Sequence, residues 1–319
     1  MSAVAGVGFL IVGTPRSGTT LVQRLACELD GVRMPPETHF FGFFALDLLA
    51  RKEFPLAGAA LREELEAFAS MDKSAELGLD VDAVERLLGG RCASLGRMFD
   101  AIVESLAGPA EVLGEKSPEH LLWWRRLTEA APATRIVGVI RDPRAVVASA
   151  IAVWGDRGSR HAPPHVMRAQ RWASDARELA RAAATLGPAR FLLLRYEDVV
   201  RDEGTAREAV AAFLGRRVAV GAIVGSPDIV MPREWWKERT FMPITDERVE
   251  AWRASLTNHQ ASEVAAICRS GMRRFGYATE SRRRALARIA SLSPRANAER
   301  LRFVAGRTRH GYRIARATI

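Results

Sequence analysis

Cysteine is scarce in this sequence: Cys27, Cys92 and Cys268 are the only three in 319 residues. An odd number without metal-ligand spacing argues against a disulfide framework and against a thiolate metal site, and leaves free, mostly buried thiols as the expectation. Long apolar runs are missing as well. No stretch reaches the roughly 20 residues that a membrane-spanning helix needs, and no basic segment of the signal-peptide kind opens the chain, so a cytoplasmic location is expected. Most of the chain also lacks a surplus of either charge. The formal net charge is +10, from 47 Lys+Arg and 37 Asp+Glu, but residues 281–319 hold eleven arginines against one acidic residue, Glu299. Residues 1–280 are therefore formally neutral, and the basic character belongs to a tail. No nucleic-acid reading motif accompanies those arginines, so no nucleic-acid partner is expected.

Core-forming material is plentiful. With 48% hydrophobic content over 319 residues, residues 1–280 can bury a large core as a single α/β domain. Residues 45–108 are rich in helical patterns, such as Leu61 to Phe68 and Val81 to Leu88, with apolar residues at helical spacing. This helical insertion is expected either to wall a binding site or to cap the core. In the extension 281–319, arginines alternate with Leu286, Ile289, Leu292, Leu301, Phe303 and Val304. That mixture suits a surface helix on anionic lipid, on an acidic polymer or on another subunit of a homo-oligomer, or a solvated extension packed on the body.

The richest local signal lies near the N-terminus. Phe9-Leu10-Ile11-Val12 is a short continuous apolar run that suits a central parallel strand, Gly13 opens a turn, and a helix starts near Ser17 to Thr20. Such a turn aims backbone N–H groups and the positive end of the helix dipole at one point, which stabilises an anion. Gly13 and Gly18 have the spacing of the nucleotide-binding G-x-x-x-x-G-K-[ST] loop, but Thr19 stands where that loop has lysine. Transfer of a γ-phosphoryl group normally relies on that lysine and on magnesium. The cation here is Arg16, whose planar guanidinium can pair with phosphate or sulfate oxygens, while Thr19 and Thr20 add hydroxyl donors.

The hexapeptide Pro15-Arg16-Ser17-Gly18-Thr19-Thr20 resembles the loop of the sulfotransferases that use 3′-phosphoadenosine-5′-phosphosulfate (PAPS), in the form characteristic of their Golgi and bacterial branches. The resemblance implies that Pro15, Arg16, Ser17, Gly18, Thr19 and Thr20 surround the 5′-phosphosulfate of the donor. A second signature follows another apolar run, Arg135 to Ile140. There Asp142 suits an N-cap and Pro143 the first helical position, which puts Arg141 at a strand's carboxyl end and Ser149 two turns into a helix. Ligands of open α/β sheets bind at those carboxyl ends. In the family an arginine and a serine with this spacing hold the 3′-phosphate, and the match falls on Arg141 and Ser149.

Three further segments carry candidate chemistry. Glu37 follows Pro35-Pro36, which stop any helix, and Phe40 and Phe41 can seat the turn on the core. Sulfuryl transfer to a hydroxyl needs a proton acceptor and cations at the leaving phosphate. Glu37 resembles, in its spacing from the loop, the glutamate proposed as base in tyrosylprotein sulfotransferases, and His39 is the alternative base. Lys116, at the end of the run Val112 to Lys116, matches the family's lysine in a K-x-P context and is expected to assist the leaving group, with Glu115 either positioning it or serving as a surface partner. Arg195-Tyr196-Glu197-Asp198 is similar to a family turn whose tyrosine lies near the nucleotide, so Tyr196 is expected to touch the adenosine or to be structural. Met242 to Thr245 and Trp252-Arg253 fall where the family closes over the donor, ahead of an ending that here reads Phe275-Gly276-Tyr277.

These readings converge on an α/β fold with a P-loop-type central parallel sheet flanked by helices. The expected activity moves a sulfuryl group from PAPS to a hydroxyl of a small molecule, carbohydrate or lipid, without a metal, giving a sulfate ester and 3′-phosphoadenosine-5′-phosphate (PAP). Glu37, Lys116 and Arg16 are the catalytic residues in this reading, with Pro15 to Thr20, Arg141, Ser149 and Tyr196 on the donor. The alternative is a P-loop nucleotide-binding protein or a kinase-like phosphotransferase.

Overall fold

The computed structural model describes residues 6–155, 162–219, 229–231 and 233–319. In chain order the elements are β1 (Val7–Gly13), α1 (Thr19–Cys27), β2 (Val32–Arg33), α2 (Ala45–Arg51), β3 (Leu56–Ala57), α3 (Gly58–Ser70), α4 (Val81–Leu88), β4 (Arg91–Cys92), α5 (Leu95–Ala107), β5 (Val112–Lys116), α6 (Trp124–Ala130), β6 (Arg135–Ile140), α7 (Pro143–Trp154), α8 (Pro164–Leu186), β7 (Phe191–Arg195), α9 (Tyr196–Arg201), α10 (Glu203–Leu214), α11 (Trp252–Ser255), α12 (Asn258–Arg274), α13 (Arg282–Ala290) and α14 (Pro294–Ala315). A π turn over Phe40–Phe44 and 3-10 turns over Pro118–Trp123 and Trp235–Phe241 complete the connections.

The apolar run at the N-terminus becomes the central strand because both of its faces are covered. In β1, Leu10 and Val12 join a core with α3, α5, α7, α8 and α12, whereas Phe9 and Ile11 join a second core with α1, α9 and α10. Strand order is β2-β5-β1-β6-β7, and every pairing in this sheet is parallel. The direction of winding reverses at β1, so the carboxyl ends of β5, β1 and β6 open onto one crevice, the usual ligand position of such sheets. Gly13 closes β1 for a steric reason: a Cβ there would stand 2.4 Å from the Val139 carbonyl oxygen of the neighbouring strand. Asp142 caps α7 as its sequence suggests, with its carboxylate accepting from the Arg144 amide at 2.8 Å, and Pro143 fills the first helical position.

The segment 45–108 folds into α2 to α5 and the short antiparallel β3/β4 ladder. Its apolar positions, Leu61, Leu65, Phe68, Val84, Met98, Phe99 and Ile102 among them, meet Phe40, Phe41 and Phe44 in the first core. Burial of each such side chain contributes roughly 1.5–3 kcal/mol. Of the two expectations for this insertion, the core cap describes it better. Lys73 is its only side chain on the central cavity among the described residues.

The arginine-rich extension also packs on the body. The helix α13 lies against α12 and α14 runs along α8, while Ile314 and Ala317 reach into the first core. The Arg126 guanidinium holds the end of the chain through the Ala317 carbonyl, with Nε at 3.0 Å. Most of the arginines stay exposed on the outer side, with Leu286, Leu301 and Tyr312 among them. The inner side of α14 presents Phe303, Arg307 and His310 to the central cavity. No described helix is long and apolar enough to cross a membrane. All three cysteines are free, and burial pushes the thiols up, Cys27 to about 12 and Cys92 to about 11.

Candidate active site

A cavity of about 1300 Å³ opens at the carboxyl ends of the central strands and is lined by the turn after β1, by Glu37 and His39, by α7 and α8, by the segment 240–255 and by α14. The backbone of the first turn carries strain where the sequence places its cation. Arg16 has φ 77° and Gly18 φ 93°, and left-handed conformations such as these are costly for a residue with a side chain. The strain directs the Arg16 side chain onto α7, where its Nε donates to Ser149 Oγ at 3.1 Å. Glycine is required at 18 for a second reason, because a Cβ there would stand 2.4 Å from Tyr196 Cδ2. Tyr196 therefore lies against the turn, and the Arg141 guanidinium stacks on its ring at 4.0 Å. The two motifs of the sequence thus meet in space: Arg141 donates to the Arg16 carbonyl at 3.4 Å and to the Arg248 carbonyl at 2.7 Å.

Burial lowers Arg16 to about 10, with Arg141 the next contributor, and burial likewise lowers Arg141. Two buried guanidiniums side by side call for an anion. Polar atoms remain for one: Arg141 Nε and the Thr14 hydroxyl are buried and have no protein partner. Pro15, Arg16, Gly18, Thr19 and Thr20 line the cavity, but Ser17 does not. Its side chain is enclosed and its amide closes the turn onto the Thr14 carbonyl at 3.1 Å. Its hydroxyl, like that of Thr14, is buried without a protein partner.

Beside this cation pair lies a single buried carboxylate gripped by several cations. The Glu37 Oε1 atom accepts from Lys116 Nζ and from Lys237 Nζ, the latter at 2.6 Å, and Lys116 Nζ also reaches Thr20 Oγ1 at 3.2 Å. Lys237 is paired in addition with Glu234. His39 Nε2 stands 3.4 Å from Glu37 Oε2, and Nδ1 of the same ring stands 2.5 Å from Glu119 Oε1. The local chain explains the placement. The Thr38 amide and hydroxyl donate to Glu115 Oε1 at 3.1 and 2.8 Å, and the His39 amide donates to Ser117 Oγ at 2.9 Å. His39 has φ 55° and turns the chain into the π turn that buries Phe40, Phe41 and Phe44. Glu115, expected either to position Lys116 or to sit at the surface, does neither. It is fully buried, paired with His120 at 2.8 Å, and pins the Glu37 turn to the end of β5.

The electrostatics assign different states to these groups. Burial pushes the Glu37 carboxyl up, but Lys116, Lys237 and His39 together outweigh it and hold the group well below the usual carboxylate range. Burial lowers Lys116 to about 8 against the pull of Glu37. His39 is raised, since Glu119 and Glu37 outweigh its burial, and Glu119 is held at about 2, with His39 outweighing burial there. Glu119 and Glu37 thus favour the protonated ring of His39, which places it to orient Glu37. Glu37, His39 and Glu119 also present ligand atoms within 4.8 Å of one another, as a cation site would. Lys116 and Lys237 already bring positive charge to that carboxylate.

Sequence reasoning missed Lys237. It looked for a closing segment from Met242 onward, and Met242, Pro243, Ile244, Thr245 and Trp252 do line the cavity. The catalytic-side cation sits slightly upstream, in a 3-10 turn where Glu234 and Lys237 are three residues apart. Charged residues interleaved with tryptophans in Glu234-Trp235-Trp236-Lys237 were the available signal. The Phe275-Gly276-Tyr277 ending has a structural role: the Tyr277 hydroxyl donates to Glu197 Oε2 at 2.8 Å, and Glu197 Oε1 accepts from the Asp142 amide at 2.8 Å beside Arg141.

Similarity to known proteins agrees with this layout. A model of the sulfotransferase family matches residues 9–219. Carbohydrate sulfotransferase 3 of Tetronarce californica is 28% identical over an alignment of 175 residues, with 45% of this chain and 36% of that protein covered. The chain thus spans about a third of the length of that curated relative. Two solved structures share the fold. The sulfotransferase domain from the curacin biosynthetic pathway has a TM-score of 0.56 at 17% identity, covering 88% of this chain and 100% of that one. The sulfotransferase domain from the Synechococcus PCC 7002 olefin synthase has a TM-score of 0.57 at 18% identity, covering 88% and 98%. With the family model covering residues 9–219, well over half of the sequence, this chain belongs to the sulfotransferase family.

Proposed function

We propose that the protein transfers a sulfuryl group from PAPS to an acceptor hydroxyl. The observation that carries this reading is the convergence, in one crevice, of two buried guanidiniums, Arg16 and Arg141, with two ammonium groups, Lys116 and Lys237, that share the Glu37 carboxylate. In this reading Arg16 and the turn Gly18 to Thr20 hold the 5′-phosphosulfate, and Arg141 and Ser149 hold the 3′-phosphate. Tyr196, stacked under Arg141, shapes the adenosine side. When bound, PAPS supplies a sulfuryl group whose bond to phosphate breaks as a bond to the acceptor oxygen forms, leaving PAP and a sulfate ester.

The chain's own groups supply the rest. Lys116 and Lys237 can turn from Glu37 toward an anion held in the loop, where they stabilise charge as it grows. Each ammonium that turns away leaves the Glu37 carboxylate more basic, so it becomes able to accept the acceptor proton as the donor site fills. His39, held by Glu119, keeps the carboxylate oriented. The kinase-like alternative is disfavoured because Thr19 occupies the loop position at which lysine would neutralise a γ-phosphoryl group. Calorimetry with PAP, ATP, GTP and an adenosine 5′-phosphate lacking the 3′-phosphate tests the reading. Tight binding of PAP alone is expected, and a preference for either triphosphate, or indifference to the 3′-phosphate, would overturn it.

A further inference from the structure

The helix α14 has two apolar sides, and sulfuryl transfer uses neither its outer side nor the charge beside it. Toward the body, Ala296 and Ile314 are buried, and Phe303, Arg307 and His310 line the cavity. At 3.6 residues per turn, the opposite side carries Leu301, Ala305, Thr308 and Tyr312, which follow one another at spacings of four, three and four. All four are exposed, Leu301 at 72% and Tyr312 at 62%. Beside this stripe, Arg295, Arg302, Arg309 and Arg316 recur every seven residues and are exposed as well. Seven residues are nearly two turns, so these arginines form a rail along one edge of the stripe. The shorter helix α13 has the same ingredients: Leu286 is 55% exposed and follows the exposed Arg282, Arg283 and Arg284.

This charge is largely uncompensated. Eight of the eleven arginines in 281–319 are exposed, and among the described residues only Arg302 of these eight is paired with a carboxylate, Glu299 at 3.1 Å. The apolar side chains are just as concentrated. Seven large hydrophobic residues are exposed among the described residues, and four of them, Leu286, Leu301, Val304 and Tyr312, belong to this extension. Single exposed apolar side chains are ordinary, but a run of them on two basic helices marks an interaction surface.

The combination selects the occupant. An acidic polymer would be held by the arginines alone, leaving Leu301 and Tyr312 in water. A second copy of the chain would bring the same unpaired arginines toward one another, which like charge opposes. An anionic lipid surface uses both components: guanidiniums pair with the headgroup phosphates while their stems lie along the helix, and the apolar stripe enters the boundary between headgroups and acyl chains. Tyr312 suits that boundary, because its hydroxyl accepts from Arg316 Nη1 at 2.9 Å while its ring remains apolar. Residues 1–280 are formally neutral, so the body does not oppose the attraction, and the field turns this face toward the lipid.

We propose that α13 and α14 dock the protein on membranes rich in anionic lipid, with α14 lying in the plane of the headgroups. One side of α14 then walls the cavity and the other rests on the bilayer.

The test sediments the full chain with vesicles of phosphatidylcholine alone and with vesicles in which roughly a third of the lipid is phosphatidylglycerol. Binding is expected to be about tenfold or more stronger to the anionic vesicles, and to be largely lost in about 1 M salt, where screening acts within about 3 Å. The double variant Leu301→Ser with Tyr312→Ser keeps every arginine and should lower binding by about tenfold. The triple variant Arg302→Gln, Arg309→Gln and Arg316→Gln keeps the apolar stripe and should lower it at least as much; it carries the test if the double variant does not fold. Soluble polyglutamate and sedimentation velocity without vesicles examine the other occupants. Equal binding to both kinds of vesicle, undiminished binding of either folded variant, tighter binding to polyglutamate than to anionic vesicles, or a dimer that the double variant abolishes would each overturn the proposal.

Discussion

The two ends of the cavity are built in different ways. At the donor end, three of the four cations follow from strand ends: Lys116 closes β5, Arg141 directly follows β6 and Arg16 lies in the turn after β1, while Lys237 comes from the 3-10 turn Trp235–Phe241. Neighbouring parallel strands stop at nearly the same height, so residues far apart in sequence converge with no further instruction. At the far wall, the side chains come from helices α7, α8 and α14, whose meeting depends on how those helices pack. A strand-end site is written locally, and a helix wall is written in tertiary contacts. The donor end should accordingly tolerate few changes in its turns, and the far wall should tolerate more.

The largest expected effect lies where the two ends meet. Glu37→Gln should lower kcat for PAPS turnover by about 100-fold to 10,000-fold, the range typical of a lost proton acceptor. PAP affinity should be kept or increased, because the variant no longer competes for Lys116 and Lys237. Steady-state kinetics and calorimetry on the same preparation read both, and unchanged kcat would remove Glu37 from the chemistry. Next in size is Arg141→Ala. Losing charge-assisted hydrogen bonds of about 1.5–3 kcal/mol should weaken PAP binding by roughly 10-fold to 150-fold in calorimetry. Unchanged PAP affinity in this variant would remove Arg141 from the donor end.

How much of this was legible in the sequence follows the same division. The continuous runs Phe9 to Val12 and Arg135 to Ile140 announced buried strands, and the structure places both in one sheet. Asp142-Pro143 announced the start of α7, and Arg16 and Ser149, one from each of the two motifs, are hydrogen-bonded to each other. Lys237 was hidden because nothing local in its turn indicates a partner 200 positions earlier in the chain. The inner face of α14 was hidden by composition: Phe303, Arg307 and Ile314 are spaced along one side of a helix whose other residues are mostly polar or arginine, so the segment reads as surface. Arginine stems can cover apolar neighbours while their heads reach a cavity or solvent, which is why charge alone left this extension open between a surface helix and one packed on the body.

A smaller effect should appear in the pH dependence of donor binding, and it is confined to one end. With Lys116 lowered to about 8 by burial, the free protein loses that proton as pH rises past this value. A bound anion favours the charged ammonium, so binding above pH 8 must take up a proton. PAP affinity should be flat below that pH and fall above it by up to tenfold per pH unit. Lys116→Arg, which keeps its charge throughout, should flatten the profile. A wild-type profile that stays level to pH 9.5 would show that Lys116 does not face the donor.

The smallest effect tests whether the donor end is braced from behind. Tyr277 reaches Glu197, and Glu197 receives the Asp142 amide next to Arg141, so a hydroxyl near the end of α12 supports the turn that aims the guanidinium. Tyr277→Phe removes one hydrogen bond without opening a cavity, and should cost about 1 kcal/mol of stability in chemical denaturation. Since Glu197 keeps its bond to the Asp142 amide, PAP affinity should fall by less than about threefold. A tenfold loss of PAP affinity at unchanged stability would mean that Arg141 is aimed by this distant ring and not by its own strand end, and the contrast between a locally written donor end and a contact-written far wall would fail at the residue on which it most depends.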